Sequence, residues 1–303
     1  MTTKTQTKPK RTPAKPKTKT QEPGTPIPVP ATKIPEPIIP EPILEEKEDA
    51  SAEHAEVLSI VIPYVTSTAK WDELRIALRS IVKYFNPNWA IRLFVVADKL
   101  PEWMSDEVTL IPCEQITNQR FAKAYDAVKK LKAVIAHPEV SENFIYTYDD
   151  TVFLNPAPLH DYAVARINRD TDITKWDGSN IWKEIMMNTV ERLVANKLPT
   201  YNYETHLPRI FSKTGLSEIF EKFGFQKRPY HLSTIYFNYF GIPRKLLSEN
   251  KMIKADIRSN HTLDEINELT QARAFLNYND DGLNENLKKF LLELFPDKCR
   301  FEV

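Results

Sequence analysis

The chain has 303 residues, with 41 Lys or Arg balanced by 41 Asp or Glu. That neutrality argues against a dedicated duplex-nucleic-acid binder, which carries a basic excess, and no apolar run reaches the length needed to span a bilayer. The two cysteines, Cys113 and Cys299, supply neither a disulfide framework nor a zinc cluster, so a reducing, cytoplasmic setting is expected.

Residues 1–56 differ sharply from the rest. By position 42 the sequence has used 11 of its 23 prolines, with almost nothing large and apolar between them. Residues 1–20 carry seven bases and no acid; from Glu22 to Glu56 nine acids face only Lys33 and Lys47. Such a stretch buries too little apolar surface to offset its ordering entropy, which predicts a disordered tail, basic then acidic. It lacks the apolar core of a signal peptide, and a solubilising tether is a simpler account of it than a binding arm. The remaining 247 residues carry 32 bases and 32 acids, enough chain for one large α/β domain.

Val57 to Tyr64 is a short apolar run stopped by Pro63, the pattern of a buried parallel strand. Asp72 to Phe85 places Leu74, Ile76, Leu78, Ile81 and Val82 at helical spacing, ended by Asn86-Pro87-Asn88. Strands follow at 91–97, with Asp98 after it, and at 108–112; a helix is predicted from Phe121 to Ala136, then a strand from Phe144 to Tyr148 that runs into Asp149-Asp150. This order predicts a mostly parallel sheet flanked by helices on both faces. Ligands of such sheets bind outside the carboxyl ends of the strands, where Pro63, Tyr64, Asp98, Asp149 and Asp150 stand. Beyond these, helices are expected at 181–193, 215–223, 244–250 and 284–295, and a strand at Tyr236–Phe240. Trp176 and Trp182 flank a polar loop, Asp177 to Asn180, read either as a lid or as a loop with buried anchors.

The six glycines are dispersed, which excludes a P-loop or a dinucleotide fingerprint. A bound nucleotide must therefore have its phosphates neutralised by a metal or by side chains. Adjacent carboxylates at the end of a buried strand suit a hard divalent cation that completes its shell with water and phosphate oxygens; capping of the next turn is the alternative.

The segment Tyr146-Thr147-Tyr148-Asp149-Asp150-Thr151-Val152-Phe153-Leu154-Asn155 resembles the Asp-x-Asp segment of GT-A glycosyltransferases, and Leu58 to Tyr64 is similar to their first, nucleotide-binding strand. Phe275 to Gly282, followed by Phe290 to Glu302, resembles the closing block of the Stealth-type sugar-phosphate transferases. Thr205-His206-Leu207-Pro208 and Asn118-Gln119-Arg120-Phe121 resemble two further elements of that family, in its order. Thr151 departs from the pattern, standing where many relatives of the GT-A fold have Asp.

The resemblance implies a GT-A-like, Rossmann-like fold that moves a sugar or a sugar phosphate from a nucleotide-sugar donor to a glycan or other hydroxyl acceptor. It implies that Asp149 and Asp150 hold manganese or magnesium with the diphosphate. Pro63, Tyr64 and Asp98 would meet the nucleoside, and Arg120, one turn from Lys123, the phosphates. His206, near Glu204, or Asp280, beside Asp281, would serve as the acid–base group. His231 and His261 are read as structural. Phe290, Leu291, Leu294 and Phe295 are read as a packing face. Two rivals stay open. One is a nucleotidyltransferase, although no glycine follows the first strand. The other is a non-catalytic relative that binds a glycan or a partner.

Overall fold

The computed structural model describes residues 57–85, 90–157, 162, 164–168, 178–242, 244–246 and 254–303. The tail, Trp176 and Asp177 lie outside them.

Strands β1 (Val57–Pro63), β2 (Ala90–Ala97), β3 (Val108–Pro112), β4 (Asn143–Tyr146) and β7 (Arg209–Ser212) form a sheet in the order β3-β2-β1-β4-β7. β1 pairs in parallel with both β2 and β4, β2 pairs in parallel with β3, and β7 runs antiparallel to β4. The expected mostly parallel sheet is therefore present, with an antiparallel edge. Successive residues alternate between its faces, as the strand period demands. Val61, Phe94, Val96 and Phe144 pack beneath α2 (Ala122–Ala136) and α4 (Lys213–Phe223). Ile60, Ile62, Val95 and Ile145 meet α1 (Glu73–Tyr84) through Leu74, Leu78 and Ile81. Helices cover both faces, which is why these strands read as continuous apolar runs. Val82, assigned to the apolar stripe of α1, is instead 40% exposed.

A second sheet, β5 (Thr151–Phe153), β10 (Phe275–Tyr278) and β9 (Lys254–Ile257), follows the acidic pair. It is tied to α1 by Ser80 Oγ, which accepts from the Phe153 N–H at 3.0 Å. A third pairs β6 (Ala165–Ile167) with β8 (Arg244–Leu246), so the start of the helix expected at 244–250 is a strand; residues 247–250 lie outside the described set. The strand expected at Tyr236–Phe240 is also overturned: α5 (Leu232–Phe240) occupies it. A continuous apolar run does not reveal its period, and here it is a buried helix closed by Gly241 at φ 62°.

The other helices start where the sequence provides caps. Asn180 accepts from Lys183 N–H at the head of α3 (Ile181–Ala195), and Ser212 from Gly215 N–H at α4. Thr262 and Glu265 form a capping box at α6 (Leu263–Thr270), and Asn284 caps α7 (Glu285–Leu294). Leu291 and Phe295 are buried and Phe290 and Leu294 pack against them, as expected for a docking face. Behind α7 stands Glu302, whose side chain is 2% exposed and faces Arg79 at 2.7 Å and Arg75 at 3.1 Å.

Candidate functional site

β1 is the point where the sheet reverses. From β1 the chain crosses through α1 to β2 on one side; from β3 it crosses through α2 to β4 on the other. The loops at the two carboxyl ends therefore diverge and leave a crevice. A cleft of about 580 Å³ lies there. Its walls are the loop after β1 (Val65 and Ser67 to Lys70), Glu73 of α1, Gln115 after β3, Lys123 and Asp126 of α2, Asp149-Asp150 after β4, and Tyr278 to Asp280 at the end of β10.

Asp149 and Asp150 are half-buried. Burial, with a smaller contribution from Glu73, pushes the Asp149 carboxyl up to about 6. Burial and the neighbouring Asp149 push Asp150 up to about 7. Lys130 opposes the first shift, and Lys254 and a hydrogen bond from Asn277 oppose the second. Asn277 Nδ2 donates to both the carbonyl and Oδ1 of Asp150, each at 3.2 Å, and so couples the acidic turn to β10.

The cleft floor is fastened by a buried ion pair. Lys130 Nζ lies 2.9 Å from Asp126 Oδ2 and donates to the Tyr64 carbonyl at 2.9 Å, while Asp126 Oδ1 accepts from Ile116 N–H at 2.8 Å. One pair on α2 thereby holds the segments that leave β1 and β3. Glu73 accepts from the Trp71 N–H at 2.8 Å and the Lys70 N–H at 3.3 Å, shaping the loop that carries Lys70. Lys70 Nζ reaches Asp280 at 2.6 Å across the cleft. The turn bearing Asp280 is held tightly: a Cβ on Gly282 would collide with the Ile257 carbonyl.

The other expected site residues stand apart from these. Tyr64 is 7% exposed and its ring belongs to the apolar core, with its hydroxyl pushed up to about 12 by burial, so its face is not offered to a base. Pro63 ends β1. Asp98 is exposed and accepts from Thr66 Oγ1 at 3.2 Å, beside but not lining the cleft. Arg120 points away and pairs with Glu184 at 2.6 Å; Lys123, one turn on, is the base that lines the cleft. Thr151 is fully buried, its hydroxyl 3.4 Å from Asn277 Nδ2.

His206 occupies the flank, at φ 51°, with its ring 5.3 Å from that of Tyr148, next to Asp149 in sequence. The residue is exposed, yet the protein around it and the Arg209 and Lys254 cations lower it to about 4, against the pull of Glu204. His231 contacts the Trp182 carbonyl at 3.0 Å and His261 accepts from Arg258 N–H, both local structural roles.

Glu73, Lys70, Asp126 and Lys130 escaped the sequence reading, and Asn277 and Tyr278, though inside the Phe275–Gly282 segment, received no role there. An acid in the first turn of a helix reads as a dipole partner, and an Asp–Lys pair at i, i+4 reads as a solvated face. Only tertiary packing distinguishes a floor from a surface.

An α/β sheet with a crevice at its switch point and a half-buried acidic pair inside is the arrangement in which sheets of this class bind ligands. Comparisons narrow it. No family model matches the chain. Over 89 residues it is 36% identical to the exopolysaccharide phosphotransferase CpsY of Mycobacterium leprae (strain TN), a match spanning 28% of this chain and 16% of that relative. The resemblance to sugar-phosphate transferases seen in the motifs thus recurs as a sequence match. Among solved structures, the galactosyltransferase LgtC, solved with donor and acceptor sugar analogs, aligns over 80% of this chain and 96% of its own, with 14% identity and a TM-score of 0.45. The bifunctional glycosyltransferase WbbM aligns over 82% and 51%, with 10% identity and a TM-score of 0.49. GlyE of Streptococcus pneumoniae TIGR4 aligns over 80% and 60%, with 11% identity and a TM-score of 0.41.

Proposed function

We propose that this chain transfers a sugar or a sugar phosphate from a nucleotide-sugar donor to a hydroxyl acceptor in the cleft between β1, β4 and β10. The observation that carries the reading is the half-buried pair Asp149-Asp150 at the switch-point crevice, in a chain that matches an exopolysaccharide phosphotransferase. Paired carboxylates whose charges are poorly compensated by the fold are a favourable arrangement for a hard divalent cation, which would take their oxygen lone pairs. Among the described residues no three His, Cys, Asp or Glu side chains are grouped to hold a metal, so Asp149 and Asp150 would hold it together with ligand phosphate and water. Such a cation neutralises the charge that develops on the departing nucleotide.

The chain's own groups complete the task. Lys70 and Lys123 face the cleft and suit the diphosphate, in place of Arg120, which is engaged with Glu184. Asp280 lies across the cleft, paired with Lys70; a diphosphate that draws Lys70 away frees its carboxylate to accept the acceptor hydroxyl's proton. His206, lowered to about 4, is neutral near pH 7 and a weak base there, so its ring suits a hydrogen bond to the acceptor hydroxyl more than proton transfer. Its position on the flank fits the acceptor side. No helix among the described residues is long and apolar enough to cross a membrane.

Titration calorimetry of the full chain with UDP, GDP, CDP and ADP, with and without manganese, tests the reading. Metal-dependent binding of one nucleotide, lost in Asp150→Asn, is expected. No binding under any condition overturns it in favour of a non-catalytic partner-binding relative.

A further inference from the structure

Asn277 stands on β10, opposite Thr151 of the antiparallel β5 and opposite Asp256 of the parallel β9. A strand paired along both edges holds its backbone in place, and the residue is only 8% exposed. An amide enclosed to this degree has to be satisfied by protein groups. Its Nδ2 meets three of them: the Asp150 carbonyl at 3.2 Å, Asp150 Oδ1 at 3.2 Å and Thr151 Oγ1 at 3.4 Å. A carbonyl and an ionised carboxylate can only accept, so the nitrogen of the amide, and not its oxygen, faces the acidic turn.

Two of these contacts fall on one residue. The first fastens the main chain of Asp150 and the second its carboxylate, so together they fix the side-chain torsions against the backbone. Asp150 lines the cleft, whereas Thr151 is fully buried with its hydroxyl against Asn277. The acidic turn therefore offers a cation Asp149 and Asp150, and no oxygen from the third side chain. A site with so few protein ligands depends on how each is held, because a torsion left free has to be frozen on binding. We propose that Asn277 is a positioning residue of the cation site, holding Asp150 in the rotamer that serves as a metal ligand. Hydrogen bonds to ligating carboxylates orient them in this way at metal centres generally. The inference rests on the reading of Asp149-Asp150 as a cation site and deepens it.

Manganese binding to the full chain is followed at pH 8 by electron paramagnetic resonance, in which the signal of the free aqueous ion falls as it is bound. The titration is run alone and with each of UDP, GDP, CDP and ADP. Asn277→Ala is expected to weaken manganese about tenfold or more, at a temperature where thermal melts show the variant folded. Thr151→Val, which removes the third contact at the same rung of the ladder, is expected to keep the wild-type affinity. If Asn277→Ala does not fold, Asn277→Ser, whose shorter side chain withdraws the donor, is expected to show the same weakening. Wild-type manganese affinity in the Asn277 variant overturns the inference and leaves the cation site standing. Equal weakening in Thr151→Val overturns it too, since the loss would then belong to the ladder and not to the hold on Asp150. A wild type that binds no manganese under any of these conditions overturns both the inference and the cation site.

Discussion

Asp150→Asn separates the stability of this site from its use. The replacement keeps the side-chain shape and the acceptor that Asn277 Nδ2 contacts at 3.2 Å, but removes the charge. The Asp150 carboxyl stands at about 7 in the fold against an ordinary 3.8, chiefly through burial and then through Asp149. A difference of roughly three units corresponds to about 4 kcal/mol; discounting by half for the part of the carboxylate that meets solvent leaves about 2 kcal/mol. Because the folded value is raised, the penalty is absent below pH 3.8, grows as pH rises between 3.8 and about 7, and is complete above that. Thermal unfolding of the metal-free full chain at pH 8 should therefore show Asp150→Asn melting about 4–8 °C above wild type, with the gap closing toward pH 4. With manganese and the bound nucleotide only the wild type should gain stability. A variant that melts below wild type at pH 8 without metal would refute the reasoning, since the carboxylate would then be a structural group.

Three further outcomes follow from the same geometry. Glu302→Gln leaves Arg79 and Arg75 facing a neutral amide where a nearly buried carboxylate stood, and should lower stability by about 2–3 kcal/mol in urea unfolding. Since Arg79 holds the Glu302 carboxyl below its usual range despite burial, its contribution is present at neutral pH and lost only as pH falls through that lowered value. Lys130→Met strands the buried Asp126 carboxylate and frees the Tyr64 carbonyl, for a loss of about 3–5 kcal/mol by the same assay and a weaker nucleotide affinity. His206→Gln should flatten the stability profile between pH 6.5 and about 4, because a ring held neutral in the fold makes wild type lose stability as pH falls through that window; a thermal melt series reads this directly.

Much of the fold was legible in the chain. Apolar runs of strand length bounded by Pro63, Asp98 and Asp149 gave away β1, β2 and β4, and an apolar stripe at 3.6-residue spacing gave α1 and α2 to within a residue or two. The acidic pair was legible too, since two charges ending a buried strand need compensation wherever they lie. Elements built on uniform apolarity were not: Tyr236 to Phe240 contains no polar residue that separates a helix period from a strand period except Asn238, which is itself buried. Tertiary structure alone decided the site's membership. β10 is 127 residues after Asp150, yet its Asn277 sits against that carboxylate; Asp280, 210 residues after Lys70, closes on it. The same packing removed Tyr64 from the cleft by burying its ring, turned Arg120 toward Glu184, and enclosed Lys130 with Asp126. Local sequence specifies which groups carry charge and which stretch prefers which period. The dielectric around each charge, and the partner that meets it, follow from the crossing of strands far apart in the chain.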